Sequence, residues 1–168
     1  MATTIDSFDD ELSFVSSGGV HTLPRVYLTG SLFDYRDLKV EYGACNVSVN
    51  GSFNFVALPS NLSNPLGYFT LTYYSSEYIN VASFGDTLEI ISNNAQFPLS
   101  IKCGTSSGTK TITNYNLKSI QDIKSLTISG YRIETNNPIA FDSVRIIPEP
   151  SICAMLALCF VLSLKRSK

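Results

Sequence analysis

Turn-forming residues interrupt this chain at a spacing of roughly 8–12 residues, and the segments between them alternate apolar with polar side chains. No segment before residue 148 sustains a helical repeat. Antiparallel strands with no helix to cover them must bury one sheet face against another sheet. The sequence therefore predicts an all-β fold for residues 1–147, a two-sheet antiparallel β-sandwich that is jelly-roll-like.

About ten strands are predicted, and their pairing is suggested by the turns between them. The segment 67–74 is the clearest strand, with one apolar face and one face of tyrosines and threonines. Asn50-Gly51 predicts a hairpin between strands 45–50 and 53–58. Two further hairpins are predicted, joining 97–103 to 108–115 and 124–130 to 139–147. The other predicted strands are 20–29, 35–42 and 87–92.

The composition excludes several classes of function. Only 15% of the residues are charged, and the segment 1–147 carries nine Lys or Arg against 13 Asp or Glu, a net charge of −4. No basic patch stands out, which argues against nucleic acid as a partner. One histidine, His21, and no Cys-x-x-Cys pair leave zinc without a ligand set. No cofactor is predicted, apart from the structural Ca²⁺ considered below.

The C-terminal tail, residues 148–168, has three parts in succession. Two prolines end the folded domain because proline cannot continue a strand. The uncharged run 152–164 predicts a helix of about 20 Å, against a hydrocarbon core of roughly 30 Å, so a buried or amphipathic helix is the alternative to a membrane segment. A basic end follows. The three parts are marked by Pro148, Glu149 and Pro150; by Ile152, Leu156, Phe160 and Leu164; and by Lys165, Arg166 and Lys168.

This order of a Pro-Glu-Pro-Ser string, a short apolar helix and a basic end resembles the sorting signal of bacterial PEP-CTERM proteins, which are exosortase substrates. The resemblance implies a Gram-negative source, passage through the inner membrane, removal of the tail and delivery to the cell surface or the extracellular matrix. A protein anchored permanently in the periplasm, with the tail never cleaved, is the alternative. Residues 1–6 are typical of a mature domain, so we expect an upstream signal peptide to be missing from this sequence, or the start codon to be assigned too late.

The segment 141–146 is similar to the closing strand of carbohydrate-binding jelly rolls and of many PEP-CTERM ectodomains, and the segment 4–10 is similar to how such domains begin. A glycan surface is also predicted from the residues themselves, because tyrosine rings offer flat apolar faces to sugar rings and hydroxyls can orient the sugar. The alternative is that tyrosine and threonine are present here simply because both are good strand formers. The predicted glycan-binding residues are Tyr68, Thr70, Thr72 and Tyr74.

Two further sites are predicted inside the domain. Asp6, Asp9 and Asp142 are candidate ligands of a structural Ca²⁺, since the first and last strands of a jelly roll lie close together and Ca²⁺ accepts carboxylate oxygens. The alternative is a solvated turn at the N-terminus, with Asp142 bound to local backbone N–H groups. Cys45 and Cys103 are predicted to point inward, either as a disulfide or as two buried thiols.

Catalysis has little support in the sequence. Glycosidases need two carboxylates that face each other across a cleft, and only the scattered Asp37, Glu41, Glu89 and Glu134 are candidates. We therefore expect no enzyme but a structural or adhesive protein, with weak binding to extracellular polysaccharide. A jelly-roll enzyme that acts on glycans, as a glycosidase or a lyase, is the alternative.

Overall fold

The computed structural model describes residues 2–42, 44–57, 67–92, 99–132 and 139–148. The described residues form fourteen strands and one 3₁₀ turn at Val81–Ser83. The strands are β1 (Thr3–Asp6), β2 (Leu12–Ser16), β3 (Gly19–Thr22), β4 (Val26–Tyr27), β5 (Tyr35–Tyr42), β6 (Cys45–Val49), β7 (Phe53–Ala57), β8 (Gly67–Asn80), β9 (Thr87–Ile91), β10 (Leu99–Thr105), β11 (Gly108–Ile112), β12 (Asp122–Arg132), β13 (Ile139–Phe141) and β14 (Ser143–Ile147).

All strand pairs are antiparallel and belong to three sheets. The largest sheet has seven strands, in the order β11-β10-β12-β8-β5-β3, with β4 also paired to β5. A four-stranded sheet has the order β13-β7-β6-β2, and a three-stranded sheet has the order β1-β14-β9. Because β13 and β14 are separated only by Asp142, the last segment of the domain passes from one small sheet into the other.

The core lies between the seven-stranded sheet and the two smaller sheets. Phe69 on β8 packs against Phe53 and Phe55 on β7, with ring centroids 5.0 and 5.2 Å apart, and against Phe141 on β13 at 5.9 Å. All four rings are at most 1% exposed. Aromatic side chains bury a large apolar area, so this cluster stabilises the packing of the two layers. The fold is therefore sandwich-like.

Much of the predicted strand pattern is confirmed. β5 has the predicted bounds, and the predicted hairpins at β6–β7 and β10–β11 both form. Gly51 in the first hairpin adopts φ +67°, a conformation that glycine accepts at little cost. The all-β antiparallel architecture is confirmed, in three hydrogen-bonded sheets rather than two.

Three details of the prediction are wrong. The expected hairpin between segments 124–130 and 139–147 does not form, because β12 pairs with β8 and β10, and the last segment pairs with β7, β1 and β9. The predicted strand 20–29 is split into β3 and β4, with Pro24 in the gap. Proline cannot donate to a ladder. The N-terminal strands β1 and β2 were not predicted.

The domain ends against a tight backbone contact. Gly85 has φ +149°, and a Cβ placed there would clash with the carbonyl oxygen of Ile147 and lie 2.7 Å from the nitrogen of Pro148. Only glycine allows an approach this close. The turn after Val81–Ser83 therefore packs directly on the peptide that leaves β14.

Candidate functional site

The outer face of the seven-stranded sheet carries the residues predicted to bind a glycan. Along β8 the side chains at 69, 71 and 73 are buried, and those between them are partly exposed. Neighbouring side chains of a strand point to opposite faces. The predicted set of Tyr68, Thr70, Thr72 and Tyr74 therefore lies on one outer face. Its role in binding stays a prediction.

The middle of this outer face is rich in hydroxyl groups. β8 lies between β5 and β12, so each outer residue of β8 has a partner on both sides. Thr70 faces Ser129 with their hydroxyl oxygens 3.3 Å apart, and Thr72 faces Thr127. Hydroxyl groups both donate and accept hydrogen bonds, so these rows suit a ligand that carries hydroxyl groups itself.

A concave site lies at one end of the face, and we call it the Tyr131 groove. Tyr68 and Tyr131 are opposite each other on β8 and β12, with ring centroids 5.5 Å apart and planes tilted by 35°. Their rings line a cavity of about 260 Å³. Tyr131 is 39% exposed, so part of its ring is open to a ligand. The lining consists of Tyr68, Leu99, Ser100, Ser129, Gly130 and Tyr131.

Three tyrosines from neighbouring strands form the Tyr35 cluster further along the face. Tyr35 stacks on Tyr74 with centroids 5.1 Å apart, and its centroid lies 6.2 Å from that of Tyr27. The guanidinium of Arg25 lies 3.8 Å from the Tyr35 ring centroid and is bound to Asp37. Much of the Tyr35 surface is thus taken up within the protein. Tyr74 has one ring face against Tyr35, so less of it is open than the sequence suggests.

Sequence reasoning missed the partners of the predicted tyrosines. Tyr131, Tyr35 and Tyr27 lie on three strands other than β8, and only the register brings them beside Tyr68 and Tyr74. The register of non-consecutive strands cannot be read from one sequence. The one available signal was the presence of tyrosine at outward positions of several strands.

The N-terminal carboxylates predicted to bind Ca²⁺ are held by an arginine. Arg36 is 1% exposed and donates from Nη1 to Asp6 at 2.5 Å. Its Nη2 donates to both carboxylate oxygens of Asp10, at 2.8 and 2.9 Å. Asp6 also accepts the N–H of Phe8 at 2.8 Å. Burial raises the pKa of the Asp6 carboxyl, and the positive charge of Arg36 opposes that rise. The three charges form a buried network between the N-terminal segment and β5.

Asp142 is half-buried in the link between β13 and β14, and its backbone N–H donates to the carbonyl of Ile91 at 2.8 Å. The predicted closeness of the first and last strands is confirmed, since Asp6 on β1 lies opposite Val144 on β14. Within the described ranges, no group of three or more His, Cys, Asp or Glu side chains is arranged to hold a metal ion. Asp6, Asp9 and Asp142 are therefore not brought together as one such group, and Ca²⁺ binding stays a prediction.

Cys45 and Cys103 are both buried and both free. The inward orientation is confirmed, and of the two predicted states the structure contains the thiols and not the disulfide. Burial raises the pKa of the Cys103 thiol to about 12 and also raises that of Cys45. A thiol that holds its proton this firmly is a poor nucleophile. Both side chains act as small apolar residues of the core.

Three of the four carboxylates considered for catalysis lie within ion-pair distance of a basic side chain. Asp37 accepts two hydrogen bonds from Arg25, at 2.9 and 3.0 Å. Glu41 lies 2.9 Å from Lys39. Glu89 lies 2.9 Å from Nε of Arg145, although that contact does not have hydrogen-bond geometry. Glu134 lies outside the described residues.

The predicted sorting signal lies almost entirely outside the described residues. Pro148 is described and exposed, whereas Glu149, Pro150 and the whole of 151–168 are not described. These include the predicted membrane segment with its C-terminal helix and the basic end. In the part of the chain that the structure describes, no helix has the length and apolar character needed to cross a membrane.

No protein-family model, curated protein or solved structure matched this chain.

Proposed function

We propose that this chain is an exported, non-catalytic protein of the cell surface or extracellular matrix that binds a glycan through the outer face of its seven-stranded sheet. In this proposal residues 148–168 are an exosortase sorting signal, and the sandwich is a jelly roll. The resemblance of residues 148–168 to a sorting signal supports export to the cell surface or matrix. The outer face of the seven-stranded sheet supports glycan binding.

The Tyr131 groove is the observation on which the binding proposal depends. Two tyrosine rings give the groove apolar surface, and Ser100 and Ser129 are among its lining residues. A pyranose ring has an apolar C–H face and a rim of hydroxyl groups, which matches that arrangement. Ligand pockets commonly combine an apolar lining with a few polar groups. The volume of about 260 Å³ suits one sugar unit of a longer chain.

The ion pairs support binding without catalysis. A retaining or inverting glycosidase needs two carboxylates facing each other across the bound sugar, about 5–10 Å apart. Asp37 and Glu41 point to the same outer face but are four residues apart on β5, a separation of ~13 Å. Each is paired with a base, Arg25 or Lys39. This arrangement favours a binding surface over a hydrolytic one.

Affinity electrophoresis tests the binding proposal. The full-length chain, in detergent micelles, is run through gels that contain dextran, hydroxyethylcellulose, galactomannan or polygalacturonate. We expect at least one polymer to retard it, and Tyr131→Ala to abolish most of that retardation. Tyr115→Asn is the matched control, because Tyr115 is 40% exposed, lies outside the groove and has a positive φ that asparagine accepts. Migration unaffected by all four polymers would overturn glycan binding.

Intact mass and cell fractionation test the sorting proposal. We expect protein from the native host to lack the tail after Pro148 and to occur in the surface or matrix fraction. Full-length protein in the inner-membrane fraction would indicate a permanent anchor instead. Full-length protein in the cytoplasm would overturn export.

A further inference from the structure

A second cavity lies at the opposite end of β8 and β12, two of the three strands that line the Tyr131 groove. At one end of the β8–β12 ladder Tyr68 pairs with Tyr131, and at the other end Asn80 pairs with Asp122. The second cavity measures about 440 Å³ and is lined by Tyr78, Asn80, Gln121 and Asp122. The two strands therefore carry one cavity at each end.

A bulge in β8 builds this second cavity. Between the pairs Tyr74–Ser125 and Ile79–Ile123, β8 has four residues where β12 has one. Asp34 holds the extra residues, since its carboxylate accepts the N–H of Ser76 at 2.5 Å. That hydrogen bond lowers the pKa of Asp34. A bulge turns side chains away from their regular positions, and here it leaves the ring of Tyr78 51% exposed at the cavity.

The groups in the lining are those that recognise a sugar. The Tyr78 ring offers an apolar face, the amide of Gln121 donates and accepts, and the carboxylate of Asp122 accepts from hydroxyl groups. Oδ1 of Asp122 already accepts the Ser106 N–H at 3.4 Å. The second carboxylate oxygen provides further acceptor capacity. This combination suits a pair of neighbouring hydroxyls on one sugar ring.

The charge of the lining indicates a neutral sugar. Asp122 is the one charged residue among the described residues that line the cavity. Lys124 lies outside the lining, with Nζ 5.3 Å from the Tyr78 ring centroid, and packs over that ring. The negative charge of Asp122 and the positive charge of Lys124 offset each other around the Tyr78 ring, so the site has no net charge that would favour a uronic acid. Neutral hexose units match this balance.

We propose that this cavity, the Tyr78 site, is a second binding site for neutral polysaccharide, which makes the protein bivalent. The inference depends on the proposed glycan binding at the Tyr131 groove and extends it. Tyr131 and Asp122 are nine positions apart on β12, so the two sites lie on the order of 30 Å apart. That span exceeds one sugar ring several times over. The protein would hold two chains together, or two distant parts of one chain.

Titration calorimetry tests bivalency. The full-length chain, in detergent micelles, is titrated with short neutral gluco-, manno- and galacto-oligosaccharides. We expect two sites for at least one of them. Tyr78→Ala and Tyr131→Ala should each reduce the number of sites from two to one, and the double variant should bind none. Gln121→Ala is a second variant of the Tyr78 site, chosen because its exposed side chain can be removed without disturbing the core. Tyr115→Asn should keep both sites.

The outcomes separate this inference from the function on which it depends. A single site that is lost only in Tyr131→Ala would overturn the Tyr78 site and leave the proposed function in place. A second site that survives both Tyr78→Ala and Gln121→Ala would also overturn it. No binding of any oligosaccharide, together with no retardation by the polymers, would overturn the proposed function itself. Loss of one site in each of the two variants would establish bivalency.

Discussion

The two faces of the seven-stranded sheet place ion pairs of the same kind in different surroundings. Arg36 and Lys39 lie three residues apart on β5, and each is paired with acidic side chains. The side chain of Arg36 is 1% exposed on the inner face, and that of Lys39 is 43% exposed on the outer face. Removing one partner of a buried pair leaves a charge with neither water nor counterion, whereas an exposed charge is solvated again. The degree of burial therefore determines how much stability is lost when one partner of each ion pair is removed.

The aromatic residues of β8 show the same difference. Phe69 is enclosed by rings from the opposing layer, while its neighbour Tyr68 meets Tyr131 at the surface. The inner ring stabilises the sandwich. The outer ring contributes surface that a ligand can cover. A substitution on the inner face should therefore reduce stability, and one on the outer face should reduce binding.

The largest expected effect is that of Arg36→Met. Without the guanidinium the carboxylate of Asp6 is buried and unpaired, so we expect the free energy of unfolding to fall by about 3–5 kcal/mol. Urea denaturation measures the change. The double variant Arg36→Met with Asp6→Asn is the control, because it removes the fully buried carboxylate, leaves only the partly exposed Asp10 without its partner and keeps an acceptor for the N–H of Phe8. It should recover part of the loss. A cost below about 1 kcal/mol for Arg36→Met would show that the buried network has no special weight.

An intermediate loss of stability is expected at alkaline pH, because of the Cys103 thiol buried on the inner face. An unfolded cysteine loses its proton near pH 8.5, whereas burial raises the pKa of Cys103 to about 12 in the folded protein. Between these values the folded state holds a proton that the unfolded state has lost, so stability decreases as pH rises. We expect Cys103 to contribute a loss of about 1 kcal/mol between pH 7.5 and 9.5. Urea denaturation at the two pH values measures it.

The matched variant for this experiment is Cys103→Ala. Its stability should fall less between pH 7.5 and 9.5 than that of the natural protein, whatever the cost of the substitution at pH 7.5. Cys45 keeps a residual slope in both proteins, because burial raises its pKa as well. Equal slopes for the two proteins would mean that Cys103 titrates normally in the folded state.

The smallest effect is expected from Lys39→Met on the outer face. The exposed pair with Glu41 contributes about 0–1 kcal/mol, and salt screens it further. The difference in unfolding free energy from the natural protein should shrink in 0.5 M NaCl. A loss as large as that of Arg36→Met would contradict the comparison between the two faces.

Local patterns predicted the local parts of this fold. The two faces of β8 follow from strict alternation, and the β6–β7 hairpin follows from Asn50-Gly51. The partners of β12 and of segment 139–147 could not be predicted, because they lie far away in sequence. A hairpin was predicted between the two segments because they are neighbours along the chain. In the structure β12 pairs with β8, and the first part of segment 139–147 pairs with β7. Neither partner is a neighbour along the chain.

The candidate sites divide in the same way. The glycan face was predicted as one strand, whereas the Tyr131 groove needs residues of β10 and β12 to complete it. The acidic N-terminal cluster suggested a metal because its partner, Arg36, lies 30 residues from Asp6. The alternation along β5 places Arg36 in phase with the apolar Leu38 and Val40, which indicates the inner face. Its acidic partners could not be predicted from this local pattern.

The contact between Gly85 and the Ile147–Pro148 peptide has a mechanical consequence. β14 lies between β1 and β9, and its ladder bonds stand perpendicular to the strands. A force applied to the residues after Pro148, and directed along β14, would load both ladders in shear. The backbone of Gly85 braces the point where that force enters. A domain tethered in this way resists pulling because many hydrogen bonds must break together, and not one after another.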